Sequence, residues 1–339
     1  MADLIRGSSL MQVPELISAH GGDPERFLRA AGIDPGSAGD YNRYVRYSAL
    51  ARVIGGAAQE LHVPDLGLRL SRRQNLEMLG PIAVLARNAG TIEAGLLGVT
   101  KYLHTYSPAI RATLTVGGRQ SSFGFEIGVS RVPYRAQMVE LSLGVIGGMF
   151  ELLTDTGFRP SRITFRHAQI SDTDTYLDCF GAPVEFNADA DALVFPTGLL
   201  GRPIVGKDGL AYALATRYLG DQHRYLSVGE HVVELIGKLL PVGQATLVDV
   251  AATLMVHPRV LQRQLAAEGS TFEGLLDDRR QVLARELLAV DDLPLSSVSS
   301  QLGYSEQSSL TRSCRRWFGA APLAVRRELG EREARPRPL

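Results

Sequence analysis

The chain has 339 residues, 45% of them hydrophobic and 21% charged, a composition that argues against both a disordered and a membrane-resident protein. Its 36 basic residues balance 36 acidic ones, so any contact with nucleic acid must come from local placement of charge. No run approaches the ~20 uninterrupted apolar residues of a membrane span, and the N-terminus lacks the basic start and apolar run of a signal peptide. We therefore expect a cytoplasmic protein of about two domains with no membrane partner.

Cysteine and histidine are scattered along the chain. Cys179 and Cys314 lie far apart without metal-type spacing, and the seven histidines show no paired spacing beside a carboxylate. We predict two reduced thiols, no metal site and no cofactor.

The first half opens with short helices and continues with longer ones. Asp23 is the predicted N-cap of an early helix, with Pro24 at its first position. Apolar periodicity predicts longer helices at about 46–60, 91–105 and 134–154.

Strand signals lie between and after these helices. The segments IRATLTV and SSFGFEI, joined by Gly117-Gly118, alternate apolar and polar residues and predict a β-hairpin. SRITFRHA and the stretch from PVEF to DALVFP supply three more short strands. Helices on either side of a small, mostly antiparallel sheet make this half α+β.

Two features of this half bear on ligands and partners. In KYLHTYSPAI, Tyr102, His104 and Tyr106 alternate towards the hairpin and could line a small-molecule pocket, or they could form a half-buried element end with satisfied hydroxyls. The glycine-containing segment 141–153 could be a homodimer helix, although packing against the domain's own sheet is the favoured interpretation.

Near residues 219–230 the pattern changes, and only helix signals follow. We predict a first domain over 1–220, a linker over 221–227, an all-α domain over 228–329 and a flexible tail over 330–339.

The second half contains a repeated pattern. LVDVAATLMVHPRVLQRQL (247–265) and LSSVSSQLGYSEQSSLTRSC (295–314) each predict a short helix, a turn and a second helix, with the turn one residue longer in the later copy. This plan is a helix-turn-helix, whose second helix enters the DNA major groove. Pro258 at the first helical position and Ser305 as N-cap mark the predicted starts of the two recognition helices.

A linker helix lies between the copies. STFEGLLDDRRQVLARELLA opens with Ser270 and Glu273 in capping-box spacing and spans about 18 residues, roughly 27 Å. A rod of that length can hold two recognition helices near the ~34 Å repeat of one DNA turn.

The second recognition helix has two unlike faces. One is an apolar stripe formed by Leu310, Cys314, Trp317 and Phe318. The other face carries polar groups that can read DNA. Arg312 can donate in bidentate fashion to guanine, Gln307 can pair with adenine, and Thr311 can contact a thymine methyl group. Arg263 and Gln262 are the corresponding residues in the first copy, and Arg315 and Arg316 are better placed for phosphates. A helical interaction module that shares this shape is the alternative.

Positive charge is concentrated in a narrow patch. The segment 307–327 contains five arginines and no acid, whereas acids on the linker helix nearly cancel this charge over the domain. We expect modest non-specific affinity and tight binding only as a dimer.

Residues about 228–328 resemble the DNA-binding domain of the AraC/XylS family of bacterial transcription regulators. The similarity lies in VAATL, VLQRQLAAEGSTFEGLLDDRRQVLARELL and LGYSEQSSLTRSCRRWFGAAP. It implies that the groove-facing positions are Arg259, Gln262 and Arg263 in the first copy and Gln307, Ser308, Thr311 and Arg312 in the second. The chain departs from the usual pattern at Val298-Ser299-Ser300 and at Ser313-Cys314, which makes the second core smaller and more polar.

The first ~220 residues are similar to a subgroup of that family with a long effector-binding and dimerisation domain. LEMLGPIAVLARNAGTIEAGLLGVTKYL and FRHAQISDTDTYLDCFGAPVEF contain this similarity, and too few strands are present for the small β-barrel sensor of sugar-responsive members. The resemblance implies a small-molecule effector, a homodimer and activation more than repression. RNA polymerase is a further candidate partner, and the nucleoid is the expected place of action.

Two rival classes can be compared with this interpretation. A DNA-repair alkyl acceptor needs an activated thiolate, but Cys179 has Asp178 beside it, which should raise its pKa, and no hydrolase, phosphate-loop or zinc motif is present. We therefore predict that the chain is not an enzyme. The second class is an architectural DNA binder without an effector. Small molecules would not change the melting temperature of such a protein.

Overall fold

In the computed structural model, which describes residues 3–154, 157–221, 228–254, 256–290 and 292–333, the predicted hairpin is the first part of a five-stranded sheet. The strand order is β3-β4-β7-β5-β6, and every neighbouring pair is antiparallel except β5 with β6. A separate pair, β1 with β2, ties the N-terminus to the domain. The strands are β1 (Ile5–Arg6), β2 (Tyr44–Val45), β3 (Ile110–Thr115), β4 (Gln120–Ile127), β5 (Arg162–Thr164), β6 (Val184–Glu185) and β7 (Ala192–Pro196).

The predicted long helices of the first half are confirmed to within about a residue, because each has a continuous apolar face. Asp23 is confirmed as an N-cap, since its carboxylate accepts a hydrogen bond from the Glu25 N–H at 3.0 Å and Pro24 follows it. The helices are α1 (Val13–Ala19), α2 (Pro24–Ala30), α3 (Tyr47–Glu60), α4 (Leu66–Arg73), α5 (Pro81–Arg87), α6 (Ile92–Tyr106), α7 (Arg135–Thr154), α8 (Thr173–Phe180) and α9 (Gly209–Asp221).

Helix α7 is the central element of this half. It packs against α3, α4 and strands β4 and β7. Gly144 permits the approach of α4, because a Cβ there would lie 2.1 Å from the Ser71 hydroxyl oxygen. By length and composition α7 could cross a membrane, but 61% of its most apolar window is buried inside the domain, as expected of a core helix. Gly144 of the glycine-containing segment is therefore used for packing within the chain.

An ionisable group lies in this core. Glu140 of α7 is fully buried, and the Tyr176 hydroxyl donates a hydrogen bond to its Oε1. Its Oε2 has no partner among the described residues, and His167 Nε2 lies 4.0 Å from Oε1. Burial raises the pKa of Glu140 to about 7, against its ordinary value of 4.5, and the negative charge of Asp65 adds to that effect while the Tyr176 hydrogen bond opposes it.

The second half is helical throughout its described part. Helix α13 contacts α10, α14, α15 and α16 and so forms its centre. The helices are α10 (Val228–Leu239), α11 (Leu247–Thr253), α12 (Pro258–Ala267), α13 (Phe272–Ala289), α14 (Leu295–Gln301), α15 (Gln307–Phe318) and α16 (Pro322–Glu333).

The chain separates into two compact units, residues 1–222 and 223–339, and the predicted fold class of α+β followed by all-α is confirmed. Residues 222–227, almost all of the predicted linker, lie outside the described residues. Helix α16 continues to Glu333, so the first four residues of the predicted tail, 330–333, are helical. The remaining tail residues, 334–339, lie outside the described residues as well.

Replacing Glu140 by glutamine should remove a pH dependence of stability. A carboxyl with a raised native pKa binds more protons when folded, so the stability linked to it is complete below about pH 4.5 and is lost as the pH rises through about 7. We expect the unfolding free energy of the first unit to fall by about 3 kcal/mol between pH 4.5 and 8 in the wild type and much less in Glu140→Gln.

This difference can be measured by urea unfolding of the full chain, followed through the near-UV circular dichroism of its tyrosines. The single tryptophan, Trp317, reports the second unit in the same sample and serves as the internal reference. An equally steep pH dependence in both proteins would assign the titration to another group.

Candidate DNA-binding surface

Both repeats fold as a short helix, a turn and a second helix. The turns are residues 254–257 between α11 and α12 and residues 302–306 between α14 and α15. The later turn is one residue longer, as predicted. We call the first helix of each motif, α11 or α14, the bracing helix. Val250 and Val298 occupy matching places in these two helices and are fully buried.

The starts of the recognition helices differ between the copies. Pro258 is confirmed as the first residue of α12, and the Arg259 N–H donates to His257 Nδ1 at 3.2 Å. The prediction of Ser305 as N-cap of α15 is wrong, because Glu306 takes that position with an extended backbone. The shift by one residue follows from the turn, in which Gly303 has a positive φ of 71° and ends the preceding helix.

The predicted capping box of α13 is also displaced. Thr271 is the N-cap, and its hydroxyl accepts a hydrogen bond from the Gly274 N–H at 3.1 Å. The Ser270 hydroxyl donates instead to the carbonyl of Leu265 at 3.2 Å, at the end of α12. Helix α13 itself has the predicted 18 residues.

The apolar stripe of α15 is confirmed as its buried face. Leu310 and Cys314 are fully buried, and Trp317 and Phe318 pack at the edge of the same cluster. Their neighbours in this cluster come from the bracing helix, the linker helix and the last helix (Ala284, Leu288, Val298, Leu302, Val325).

The serines that make this second core more polar have hydrogen-bond partners. The Ser299 hydroxyl donates to the carbonyl of Glu306 at 3.2 Å. Ser313 and Tyr304 share a hydrogen bond of 2.8 Å between their hydroxyls. Because a buried polar group is costly only when unpaired, the unusual residues preserve the fold of this half.

The polar faces of both recognition helices are at the surface. Among the predicted groove-facing side chains, Thr311 is half-buried. The others are exposed: Arg259, Gln262 and Arg263 in the first copy, and Gln307, Ser308 and Arg312 in the second. Arg315 is also exposed, and its guanidinium has no hydrogen-bond or ion-pair partner among the described residues. Arg312 makes one contact, a bond of 3.2 Å from its guanidinium to the Ser309 hydroxyl, that a DNA base could replace.

Arg316 differs from its neighbours because it is held by the linker helix. Its guanidinium forms an ion pair with Asp277, whose second oxygen accepts a hydrogen bond from Trp317 Nε1 at 2.9 Å. Sequence reasoning missed Asp277, since it lies 39 residues from its partner and no local pattern connects them. The predicted role of Arg316 at a phosphate stays a prediction.

A second residue of the linker helix supports the later turn. Arg280 Nε donates to the carbonyl of Leu302 at 2.9 Å, and its guanidinium lies 4.6 Å from the centre of the Tyr304 ring. Asp277 and Arg280 therefore fix α15 at both its end and its preceding turn.

The candidate effector residues lie on one helix. Tyr102, His104 and Tyr106 all belong to α6, where residues two apart point in directions ~200° apart. Tyr102 and Tyr106 share a buried face, whereas His104 is directed away from them, with its ring nitrogen 3.0 Å from the Lys101 carbonyl. The structure does not bring the three side chains together. Alternation of every second residue places side chains on one face of a strand, but these residues belong to a helix.

The thiols lack the surroundings of a nucleophile. Burial raises the pKa of Cys179, and nearby Arg72 only partly opposes it, so the predicted direction is right but Asp178 is not its cause. Burial also raises the pKa of Cys314 to about 11. Among the described residues there is no group of three or more histidine, cysteine, aspartate or glutamate side chains that could hold a metal ion.

Comparison with known proteins gives two family matches. Residues 21–204 match the arabinose-binding domain of AraC transcription regulators, N-terminal, and residues 250–328 match a helix-turn-helix domain. The chain is 38% identical over 330 residues to the HTH-type transcriptional regulator VirS of Mycobacterium tuberculosis, covering 96% of this chain and 97% of the relative.

Two further relatives are more distant. The ornithine utilization regulator of Pseudomonas aeruginosa is 22% identical over 331 residues, with 96% of this chain and 97% of the relative covered. The crystal structure of the transcriptional regulator CdpR from Pseudomonas aeruginosa covers 90% of this chain and 96% of its own at 21% identity and a TM-score of 0.42. From the two family matches and the full-length similarity to a helix-turn-helix regulator, the chain belongs to the AraC family of DNA-binding transcription regulators, in the group with a long N-terminal arabinose-binding domain.

Proposed function

We propose that this regulator reads its DNA with both recognition helices at once, under the control of a small molecule bound within residues 1–220. The observation that supports the first part is the repeated polar face of α12 and α15, exposed in both copies while the opposite face is buried. Family membership supports the second part, since the matched N-terminal domain is an arabinose-binding domain by name. Residues 228–329 are the DNA-binding domain in this proposal.

The roles of the exposed side chains follow from hydrogen-bond geometry. Arg263 and Arg312 donate to guanine, Gln262 and Gln307 pair with adenine, and Thr311 contacts a thymine methyl group. Arg259, Ser308, Arg315 and Arg316 complete the surface at bases or phosphates. The ~27 Å length of α13 suits two helices that enter successive major-groove segments.

Control by a ligand requires a differential affinity. We infer that the effector binds better to the conformations in which the DNA-binding domains can reach the groove, and so shifts the population towards them. Activation through contact with RNA polymerase, a homodimer, and action in the cytoplasm at the nucleoid are part of the same proposal.

The test of this function is fluorescence anisotropy of the full chain on its own upstream DNA and on a scrambled duplex of equal length, at several salt concentrations. A preference of about 10³-fold or more, with affinity falling as salt rises, is expected of a sequence-specific regulator. Equal affinity for both duplexes, with and without a metabolite extract, would contradict it. Specific binding that no extract alters would favour a constitutive DNA binder.

Two arginines of α15 should separate base reading from phosphate binding. Arg312→Ala should cost about 1–3 kcal/mol on the native site and relax the preference at one base pair. Arg315→Ala should weaken binding to all duplexes alike and reduce the magnitude of the salt slope by about one, because its free guanidinium reaches a phosphate. The same anisotropy assay on singly mutated duplexes measures both, and indistinguishable profiles would refute the two roles.

Removing Asp277 should loosen the second recognition helix. Asp277→Ala leaves Trp317 Nε1 without its acceptor and Arg316 without its counter-ion, so we expect the second unit to lose about 1–2 kcal/mol of unfolding free energy. Urea unfolding followed by Trp317 fluorescence measures the loss. The matched control is Asp278→Ala, a neighbouring exposed carboxylate on the same helix, which should change stability by less than about 0.5 kcal/mol. Equal effects would remove the special role of Asp277.

A homodimer needs an apolar contact surface, and α9 presents one. Leu210, Leu214 and Tyr218 follow a spacing of four residues and are 69%, 58% and 54% exposed. We expect Leu214→Glu to convert a dimer to a monomer in sedimentation velocity, whereas Val116→Glu at the hairpin turn should not. A wild-type chain that is monomeric at all concentrations, or a Leu214→Glu dimer, would contradict this assignment.

A further inference from the structure

A cavity lies inside the first unit, between the sheet and helices α3, α6 and α7. Its volume is about 80 Å³, and the side chains around it are almost all apolar and buried. Strands β3 and β4 contribute Ala112 and Phe123, and helix α6 contributes Val99 and Leu103. The walls are therefore formed by the elements that make up the domain core.

Three hydroxyl groups at this cavity make no hydrogen bond of normal geometry among the described residues. They belong to Ser9, Tyr47 and Tyr106, which are 3%, 1% and 3% exposed; Tyr106 lies near Ser9, and Tyr47 lies near the Ser142 hydroxyl. An unpaired buried hydroxyl costs about 1–3 kcal/mol, and native proteins seldom keep several at one place without a use. These groups point to a polar partner that is not part of the chain.

The three hydroxyls are neutral and close to further polar atoms. Burial raises the pKa of both Tyr47 and Tyr106 far above the ordinary tyrosine value, so each keeps its proton and can donate a hydrogen bond. The Gln74 amide, which also borders the cavity, is already engaged with the carbonyls of Ser9 and Met11 at 2.9 and 2.8 Å. The Ser142 hydroxyl borders the cavity too, but it donates to the Met138 carbonyl at 2.8 Å, so the hydroxyls of Ser9, Tyr47 and Tyr106 are the donors left to bind a ligand oxygen.

The lining excludes an ionised ligand. No lysine, arginine, histidine, aspartate or glutamate borders the cavity within the part of the chain that the structure describes. The charges that act on Tyr47 come from Arg135 and Asp3, which have opposite signs and do not line the cavity. A buried carboxylate or ammonium would have no counter-ion there, and its desolvation would cost several kcal/mol.

The shape favours a slender molecule. Residues of α7 border the cavity from Met138 to Met149, a distance of about 16 Å along the helix at 1.5 Å per residue. A small cavity bordered by several turns of one helix suits a single chain of atoms more than a fused ring system. Met78, Met138 and Met149, half of the six methionines in the protein, lie in the wall and can adjust it, because methionine is flexible and unbranched.

We propose that this cavity is the effector site and that it binds a neutral, unbranched aliphatic molecule with one oxygen group, such as a medium-chain alcohol or ketone. The oxygen is held by the hydroxyls of Ser9, Tyr47 and Tyr106, and the chain lies along α7. The regulatory meaning of this site rests on the proposed function, whereas the binding itself does not.

The test is isothermal titration calorimetry of the full chain, without DNA, with 1-octanol and with octanoate at pH 8. One 1-octanol per chain is expected, together with at least hundredfold weaker binding of octanoate, since the two probes share the chain and differ in charge. Tyr106→Phe should weaken the binding of 1-octanol about fivefold, because one neutral hydrogen bond is lost. Tyr102→Phe is the matched control, because Tyr102 lies one turn earlier on the same buried face of α6 but does not line the cavity.

A second variant tests the cavity independently of the hydroxyls. Ala112→Leu places three more carbon atoms in the space and should abolish binding while the melting temperature of the protein stays equal or rises, which shows that it is folded. Absence of 1-octanol binding to the wild type would mean that the hydroxyls are met by water only and would overturn the proposal. Octanoate that binds as well as 1-octanol, or a folded Ala112→Leu protein with unchanged affinity, would overturn it too.

The two proposals fail separately. A protein that prefers its own upstream DNA but does not bind 1-octanol retains the regulator function and loses this site. A protein that binds 1-octanol with the predicted variant pattern, yet shows no DNA preference, retains the site and loses the proposed DNA recognition.

Discussion

The contact between Asp277 and the end of α15 holds the second recognition helix against the linker helix α13. A recognition helix has to expose its polar face, so it must be held from behind by groups that do not compete with DNA. Asp277 does this with one oxygen on Trp317 and the other on Arg316, and Arg280 supports the preceding turn one helical turn further along α13. Because α13 also packs against α10 and α14, its rigidity determines how the two polar faces are placed with respect to each other. Asp277 therefore has a structural use, and it reduces the net charge of the domain as a consequence.

Sequence reasoning predicts best where a pattern repeats over a whole element. The long helices, the hairpin and the paired helix-turn-helix plan have such patterns, and the structure confirms them because burial of one face decides the conformation. Single-residue assignments at element ends were less successful. Ser305 and Ser270 each lie one residue before the true cap, since a positive-φ glycine or a longer turn shifts the start of the helix without changing the composition.

Long-range partners are the second class of feature that the sequence could not reveal. The sequence suggests that Arg316 contacts a phosphate, but in the structure its guanidinium forms an ion pair with Asp277 on another helix. His104 alternates with two tyrosines in the sequence, yet the helical period separates it from them. The buried carboxyl of Glu140 resembles any glutamate on a helix until its neighbours Tyr176 and His167, from two later segments, are known. In each case the missing information is which segments of the chain meet in space.

The polar groups buried in the first unit suggest how a small molecule could control a stable domain. Native domains are stable by only about 5–15 kcal/mol, and several unpaired hydroxyls at one cavity take up an appreciable part of that amount. A ligand that supplies the missing partners recovers this free energy only in the conformation whose cavity fits it, and so stabilises that conformation over its alternatives. In the proposed site, the last part of the stabilisation of the first unit therefore depends on the ligand.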